Sequence, residues 1–234
     1  MGVFWSFLTP VLMLAVYTFV FSVVFKARWS SGSDSKTEFA LVLFAGLLFF
    51  NIFTECFNRS SFLIVSNVNY VKKVIFPLEI LPFVALCTAV FNFLIGFSAW
   101  LVFYGIFFGL PSLNIFLFPL VMLPLMFLTL GVSWFLAALG VFLRDVGQIV
   151  AMISTVLTFL SPIFFPVSAL PEKYRIIMQI NPLTFIIEQA REVMIFGGTI
   201  DWSVFFMWLL SSMFLAWAGF SWFQKTRKGF ADVL

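Results

Sequence analysis

The sequence predicts an all-α polytopic membrane protein, with six transmembrane helices and a re-entrant outer helical hairpin between the fifth and sixth. Three observations carry that prediction. Of 234 residues, 63% are hydrophobic and only 10% are charged, against about 25% charged in a globular domain. Apolar residues gather in six blocks, near the ~20 residues a spanning helix needs. The long segment between the last two blocks is too polar for another span and too apolar for a plain loop. Such a composition excludes a soluble enzyme and a disordered chain.

The blocks follow in order. The first covers residues 4–25 and the second 39–53, short unless its helix continues through Glu55. The third (80–110) and fourth (115–143) are long enough for strong tilt or for extension beyond the lipid. The fifth covers 146–165 and the sixth 204–223. Gly105 and Gly109 form a G-x-x-x-G at the end of the third block. That pattern serves helix contacts in membranes, but it also arises by chance in apolar sequence.

Two connectors are long enough to have a role. The mixed polar and apolar run 58–79 suits a short amphipathic helix at the membrane surface. Pro77 and Pro82 then stop and restart the chain. Within this run, Asn67 to Asn69 lead into Tyr70 and the Lys72–Lys73 pair. An element that seats an aromatic in a partner's groove with charge at the rim has that pattern; an interfacial anchor has it too. The second connector, 161–202, is broken by Pro162, Pro166, Pro171 and Pro182. In a helix, Leu183, Ile186 and Ile187 fall on one side, and Glu188, Arg191 and Glu192 on another. Re-entrant backbone of this kind is tolerated only when buried in protein or lining a wet cavity.

Six spans put both ends on one side. With that side cytoplasmic, Arg59, Lys72, Lys73, Arg144, Lys225, Arg227 and Lys228 lie inside. Lys26, Arg28, Lys36, Lys173, Arg175 and Arg191 lie outside, where Asp34, Glu38, Glu172, Glu188, Glu192 and Asp201 neutralise them. The bias favours both ends inside, with Lys225, Arg227 and Lys228 its strongest part.

Absences narrow the chemistry. The chain has no His, which removes His-activated nucleophiles and His metal sites. It has no G-x-x-x-x-G-K-[ST] loop to cradle a phosphate. The net charge of +3 is too small to point to nucleic acid. Cys56 and Cys87, 31 residues apart in apolar surroundings, read first as two buried thiols, with a disulfide the alternative. Ionisable groups are nearly missing from the spans, and Glu55 with Arg59 reads as a local i,i+4 contact. An ion-driven carrier needs charged or polar groups at mid-membrane, so the pattern argues against one. Arg144–Asp145 is either a plain surface turn or a contact for a cytoplasmic partner. The aromatic density reads first as lipid-facing Phe and interfacial Trp and Tyr, with sugar stacking the alternative.

Five motifs, in order, carry a family resemblance: Trp5-Ser-Phe-Leu-Thr-Pro10; Lys73-Val-Ile-Phe-Pro77 with Leu81-Pro82; Leu143-Arg-Asp-Val146; Ser161-Pro-Ile-Phe-Phe-Pro166; and Asn181-Pro182 leading to Arg191. Together they resemble ABC-2 type exporter permeases over essentially the whole chain. The branch they look most like exports lipid-linked polysaccharide such as O-antigen, capsule or teichoic acid. The resemblance implies one transmembrane domain over residues 1–234, acting as a transport subunit and not as an enzyme. It implies a multi-pass protein of the cell's inner membrane with both termini cytoplasmic, forming a homodimer with a path between protomers. Two P-loop ATPase subunits on separate chains would bind ATP and Mg²⁺, leaving this chain without a cofactor. Its other partners would be the lipid-linked polysaccharide and membrane lipid, with no nucleic acid. The resemblance implies that 58–79 contributes to the cytoplasmic coupling region; Asn69, Tyr70, Lys72 and Lys73, with Arg144 and Asp145, are the candidate ATPase-coupling residues. It also implies that 161–198 forms gate helices on the outer side, where Ser161, Pro162, Phe164, Phe165, Pro166, Tyr174, Asn181 and Pro182 are the candidate gate residues. Family members carry an amphipathic interface helix before the first span. Here Met1 falls just ahead of the first motif, which reads as a truncated or unusually late start without that helix, and this puts coupling to the ATPase in doubt. The rival readings are an ABC-2 exporter of a drug or small lipid and, more remotely, an intramembrane enzyme, a channel or an assembly scaffold.

Overall fold

The computed structural model describes residues 36–72 and 76–234, with scattered positions between 8 and 20. The first apolar block is therefore described only at isolated positions, and Lys73 lies outside the described residues. Everything described is helix or connector, with no strand among the described residues.

Helix α1 (Lys36–Ser60) has Glu38 in its first turn and Arg59 in its last, charges that oppose the helix dipole. It runs well past the predicted end of the second block and through Glu55. A 3₁₀ turn (Val65–Asn67) leads into the short α2 (Val68–Lys72). Helix α3 (Ile80–Phe108) ends where Gly109 adopts φ 82°, a left-handed conformation that suits a residue without a Cβ. A 3₁₀ segment (Leu113–Leu117) opens onto α4 (Phe118–Phe142), which holds Pro124 in its interior. Helix α5 (Val146–Leu160) follows, then α6 (Glu172–Ile180) and α7 (Pro182–Arg191), continued by a π turn (Glu192–Phe196). Asp201 caps α8 (Trp202–Thr226), its carboxylate accepting from Ser203 N at 3.2 Å and Val204 N at 3.3 Å. A 3₁₀ turn (Arg227–Gly229) and α9 (Phe230–Val233) close the chain.

Among the described residues, four helical stretches are long and apolar enough to cross a membrane: Thr37–Ser60, Ile80–Phe108, Leu113–Phe142 and Trp202–Val233. These correspond to the second, third, fourth and sixth blocks. The fifth block forms an apolar helix of 15 residues, about 22 Å long at the usual rise. The chain turns at Ser161 because Pro162 and Pro166 cannot continue that helix.

The described chain divides into two compact units. The first holds Met1–Phe50, Phe91–Val121 and Phe159–Ile200. There the first half of α1 is buried almost continuously from Phe39 to Phe50. Trp100 is fully buried, and its indole N–H donates to the Leu41 carbonyl at 3.0 Å. An aromatic ladder, Phe93–Phe97–Trp100–Tyr104–Phe108, runs along one face of α3. The second unit holds Asn51–Val90, Met122–Thr158 and Asp201–Leu234. Its core gathers Leu63, Ile64, Ala137, Val141, Phe223 and Phe230.

Among the described residues, the G-x-x-x-G makes no helix contact. Gly105 has open space around it, and Gly109 is the cap of α3. Close approach between helices occurs instead at Gly131 of α4, where a Cβ would lie 2.6 Å from the Leu215 carbonyl oxygen of α8. Cys56 is buried as expected, but Cys87 is exposed.

Candidate functional site

The residues assigned to the outer gate all fall in the first unit, where the chain itself builds a clasp. Asn181 stands before α7, and its side-chain oxygen accepts from Leu183 N at 3.0 Å. Pro182 fills the first helical position, where a missing N–H costs nothing. The Asn181 amide donates to Leu160 O and to Ser161 Oγ, each at 3.2 Å. The start of α7 is thus tied to the end of α5.

At the other end of α7 lies Arg191, only 2% exposed. Its Nε donates to Val42 O at 3.0 Å, its Nη1 to Pro162 O at 2.5 Å and its Nη2 to Ile163 O at 2.8 Å. The guanidinium lies against Gly46, where any Cβ would collide with it. One planar fork therefore joins α1, the Ser161–Phe165 turn and α7. Burial pulls its pKa down to about 9, while nearby Glu188 pulls it back up. At neutral pH the group stays charged. The sequence pattern puts Arg191 on the polar side of α7, with Glu188 and Glu192, and among the charges of the outer side. That placement is corrected: Arg191 follows Ile187 by four residues, so it lies one turn further along the buried face.

Ser161 and Pro162 are buried, and Phe164, Phe165 and Pro166 are half-buried. Tyr174 is exposed on α6, next to exposed Ile176, Ile177 and Ile180. Helix α7 buries Leu183, Ile186 and Ile187, as its apolar spacing predicts. Asn114, not singled out in the sequence, donates to Gly197 O at 2.6 Å and Gly198 O at 3.1 Å. It fastens the chain just after the π turn.

The residues assigned to coupling lie in the second unit. Asn69, Tyr70 and Lys72 are exposed, with Tyr70 at 41%. The Tyr70 ring stacks on Phe76 at 4.8 Å. Arg144 and Asp145 are exposed in the turn between α4 and α5, and Asp145 O accepts from Gln148 N at 3.0 Å. The two groups converge on one end of the unit. Phe62, in the connector ahead of α2, covers Gly147 of α5, and Ser61 lies against Gly140 of α4.

The C-terminal residues complete that end, and the sequence reading assigned them only charge. Phe230 is fully buried, with Phe223 at 5.5 Å and Phe142 at 5.9 Å. Helix α9 packs against α2. Arg227 Nη1 donates to both Glu79 carboxylate oxygens, at 3.0 and 2.9 Å, and Trp134 Nε1 donates to Glu79 O at 3.0 Å. Burial pushes the Glu79 carboxyl up. Hydrogen bonds to its carboxylate, one from Gln224, and the Arg227 charge outweigh it and hold the group below the usual carboxylate range.

Residues 1–195 match the family model described as ABC-2 type transporter. The chain belongs to the ABC-2 type transporter family. It is therefore a membrane transport subunit with several membrane-spanning helices. Three relatives extend the similarity over the full chain, each named O-antigen export system permease protein RfbA. One, from Klebsiella pneumoniae, is 26% identical over 235 residues, covering 100% of this chain and 88% of the relative. One from Myxococcus xanthus is 27% identical over 237 residues, covering 100% and 88%. A second from Klebsiella pneumoniae is 24% identical over 234 residues, covering 100% and 87%. The ABC-2 match contains both the Arg191 clasp and the Arg144–Asp145 turn.

Proposed function

We propose that this chain is the permease subunit of an ATP-driven exporter that moves a lipid-linked polysaccharide of the O-antigen class across the inner membrane. The observation that carries this is the full-length similarity to relatives named as O-antigen export permeases. The chain acts as one transmembrane domain and pairs with a second copy. Two P-loop ATPase subunits on separate chains supply the energy and hold ATP and Mg²⁺. Both termini are cytoplasmic. The chain crosses the membrane six times, counting residues 4–25 and the short α5, and α6–α7 form a re-entrant hairpin on the outer side. The exposed isoleucines of α6 and the buried face of α7 support that reading, because a re-entrant segment must meet lipid on one side and protein on the other.

Coupling runs through Asn69, Tyr70, Lys72, Lys73, Arg144 and Asp145. The outer gate is the Ser161–Pro166 turn with Tyr174, Asn181 and Pro182, latched by Arg191. The test is deletion of the gene in its native host. Surface polysaccharide should disappear while its lipid-linked form accumulates on the cytoplasmic face, and this chain with its ATPase should restore export. Normal surface polysaccharide in the deletion strain refutes the proposal.

A further inference from the structure

Helix α2 is too short to order itself. It has five residues, Val68–Lys72, and buries none of them, whereas an isolated helix below about 12 residues is marginal even in a favourable sequence. Its outer side presents Asn69, Tyr70 and Lys72. What holds it lies beneath. Leu63 and Ile64 ahead of α2, and Leu78 after it, share one core with Phe223 and Phe230. Val71, Phe76 and Leu234 pack against that core. Phe230 is fully buried and meets the Phe223 ring of α8 edge-on, at 78° between planes. Residues that follow α8 therefore fill the space under the connector.

The connector is held at its far end as well. Glu79 immediately precedes α3, and both its carboxylate oxygens accept from Arg227 Nη1, at 3.0 and 2.9 Å. Its backbone carbonyl accepts from Trp134 Nε1 of α4 at 3.0 Å. Arg227 follows directly on α8 and stands three residues before Phe230. Leu234 N donates to Phe230 O at 3.1 Å, which closes the stretch into a turn around Phe230. One short run, Arg227–Leu234, thus grips the connector twice, under α2 through Phe230 and Leu234 and ahead of α3 through Glu79. That run lies beyond residues 1–195, the part that matches the family model. A segment that docks a partner and relays its movement must not yield first, and a segment with few buried contacts opens locally at low cost. Because α2 buries nothing of its own, its firmness comes from this grip.

We propose that Arg227–Leu234 is a brace for the coupling element, in which Phe230 and Arg227 act as positioning residues that hold 61–79 in the shape on which the ATPase docks. The docking part rests on the coupling role proposed above; the brace does not. The test uses the full chain in lipid nanodiscs, first alone for amide hydrogen exchange and then with its ATPase for binding and stimulated hydrolysis. Phe230→Ala opens a cavity under the connector, and Phe230→Leu fills much of it. In Phe230→Ala the amides of 61–72 should exchange at least ~10-fold faster, while those in the middle of α1 and α4 keep their rates. ATPase binding and stimulated hydrolysis should both fall several-fold, and Phe230→Leu should recover most of the loss. Unchanged exchange over 61–72 in Phe230→Ala overturns the brace. Faster exchange with full ATPase binding, in an assay where Tyr70→Ala binds weakly, overturns the positioning role and leaves the coupling assignment standing. If Tyr70→Ala and Phe230→Ala both bind as the unaltered chain does, the coupling reading falls and the docking part with it, and exchange, which needs no ATPase, still decides the brace. Should Phe230→Ala fail to accumulate, Arg227→Gln, which leaves the core intact, is read in the same assays. Unchanged exchange around residue 79 with full binding then overturns the brace.

Discussion

At the scale of the residue, Arg191 shows how one side chain holds a connector in place. A lysine carries the same charge but has a single ammonium, whereas the guanidinium places donors in a rigid fork. Removing the fork leaves carbonyls of Val42, Pro162 and Ile163 short of a donor in a buried place. Arg191→Met should therefore destabilise the purified protein by on the order of 3 kcal/mol. Arg191→Lys should lose a smaller share, because one ammonium reaches fewer of these acceptors. Melting curves in detergent check both, and an unchanged midpoint for Arg191→Lys would mean that charge alone suffices. Glu79 makes a second, pH-dependent prediction. Its carboxyl titrates below its ordinary value in the folded chain, so its contribution is present above the unfolded pKa. It is lost as pH falls through the folded pKa. The pair is partly exposed to solvent, which limits the effect to less than about 1 kcal/mol. Glu79→Gln should flatten the acid limb of the stability profile and leave Arg227 without its carboxylate.

At the scale of the element, the connector 61–79 and the C-terminal turn work as one part. Tyr70 stacks on Phe76 while leaving much of its ring exposed. An aromatic held in one orientation yet open to solvent is ready to seat in a partner's groove. Tyr70→Ala is expected to weaken ATPase association strongly, by about 2 kcal/mol or more, as truncation of a buried interface aromatic does. Lys72→Ala should act mildly and mainly at low salt, as rim charges do. Pull-down and ATPase activity at two ionic strengths separate the two effects. If Tyr70→Ala binds and stimulates as the unaltered chain does, the segment is a lipid anchor and Arg144–Asp145 is the next contact to test. Much of this level was legible in the sequence. The long apolar blocks became α1, α3, α4 and α8, because a spanning helix needs little beyond length and hydrophobicity. The buried face of α7 followed from the spacing of Leu183, Ile186 and Ile187. Arg191 was misplaced because residue type was weighed above position. The role of Phe230 was not legible, since nothing local marks a short tail as core. Only its packing against Phe223 and Phe142 does so.

At the scale of the whole molecule, the charge bias favours one topology, and labelling tests it. With Lys72 and Lys228 on one side and Lys173 and Glu188 on the other, an odd number of crossings must separate residue 173 from residue 228. The helical stretch from α8 through α9, Trp202–Val233 at 32 residues, is long and apolar enough to be one such crossing, exceeding what the ~30 Å hydrocarbon core requires. Lys228 follows Lys225 and Arg227 at the end of that helix, where a basic cluster favours the cytoplasm. Lys173 stands on α6, beside exposed Tyr174 and after a connector rich in proline, so a label can reach it without unfolding a span. Single cysteines at positions 72, 173, 188 and 228, in a background free of other cysteines, should fall into two groups. Positions 72 and 228 should label only after the inner face is opened, and 173 and 188 in intact cells. Labelling of 173 and 228 from the same side would mean that α8 returns without crossing. The six-span arrangement would then fail even though the helix is long enough to span.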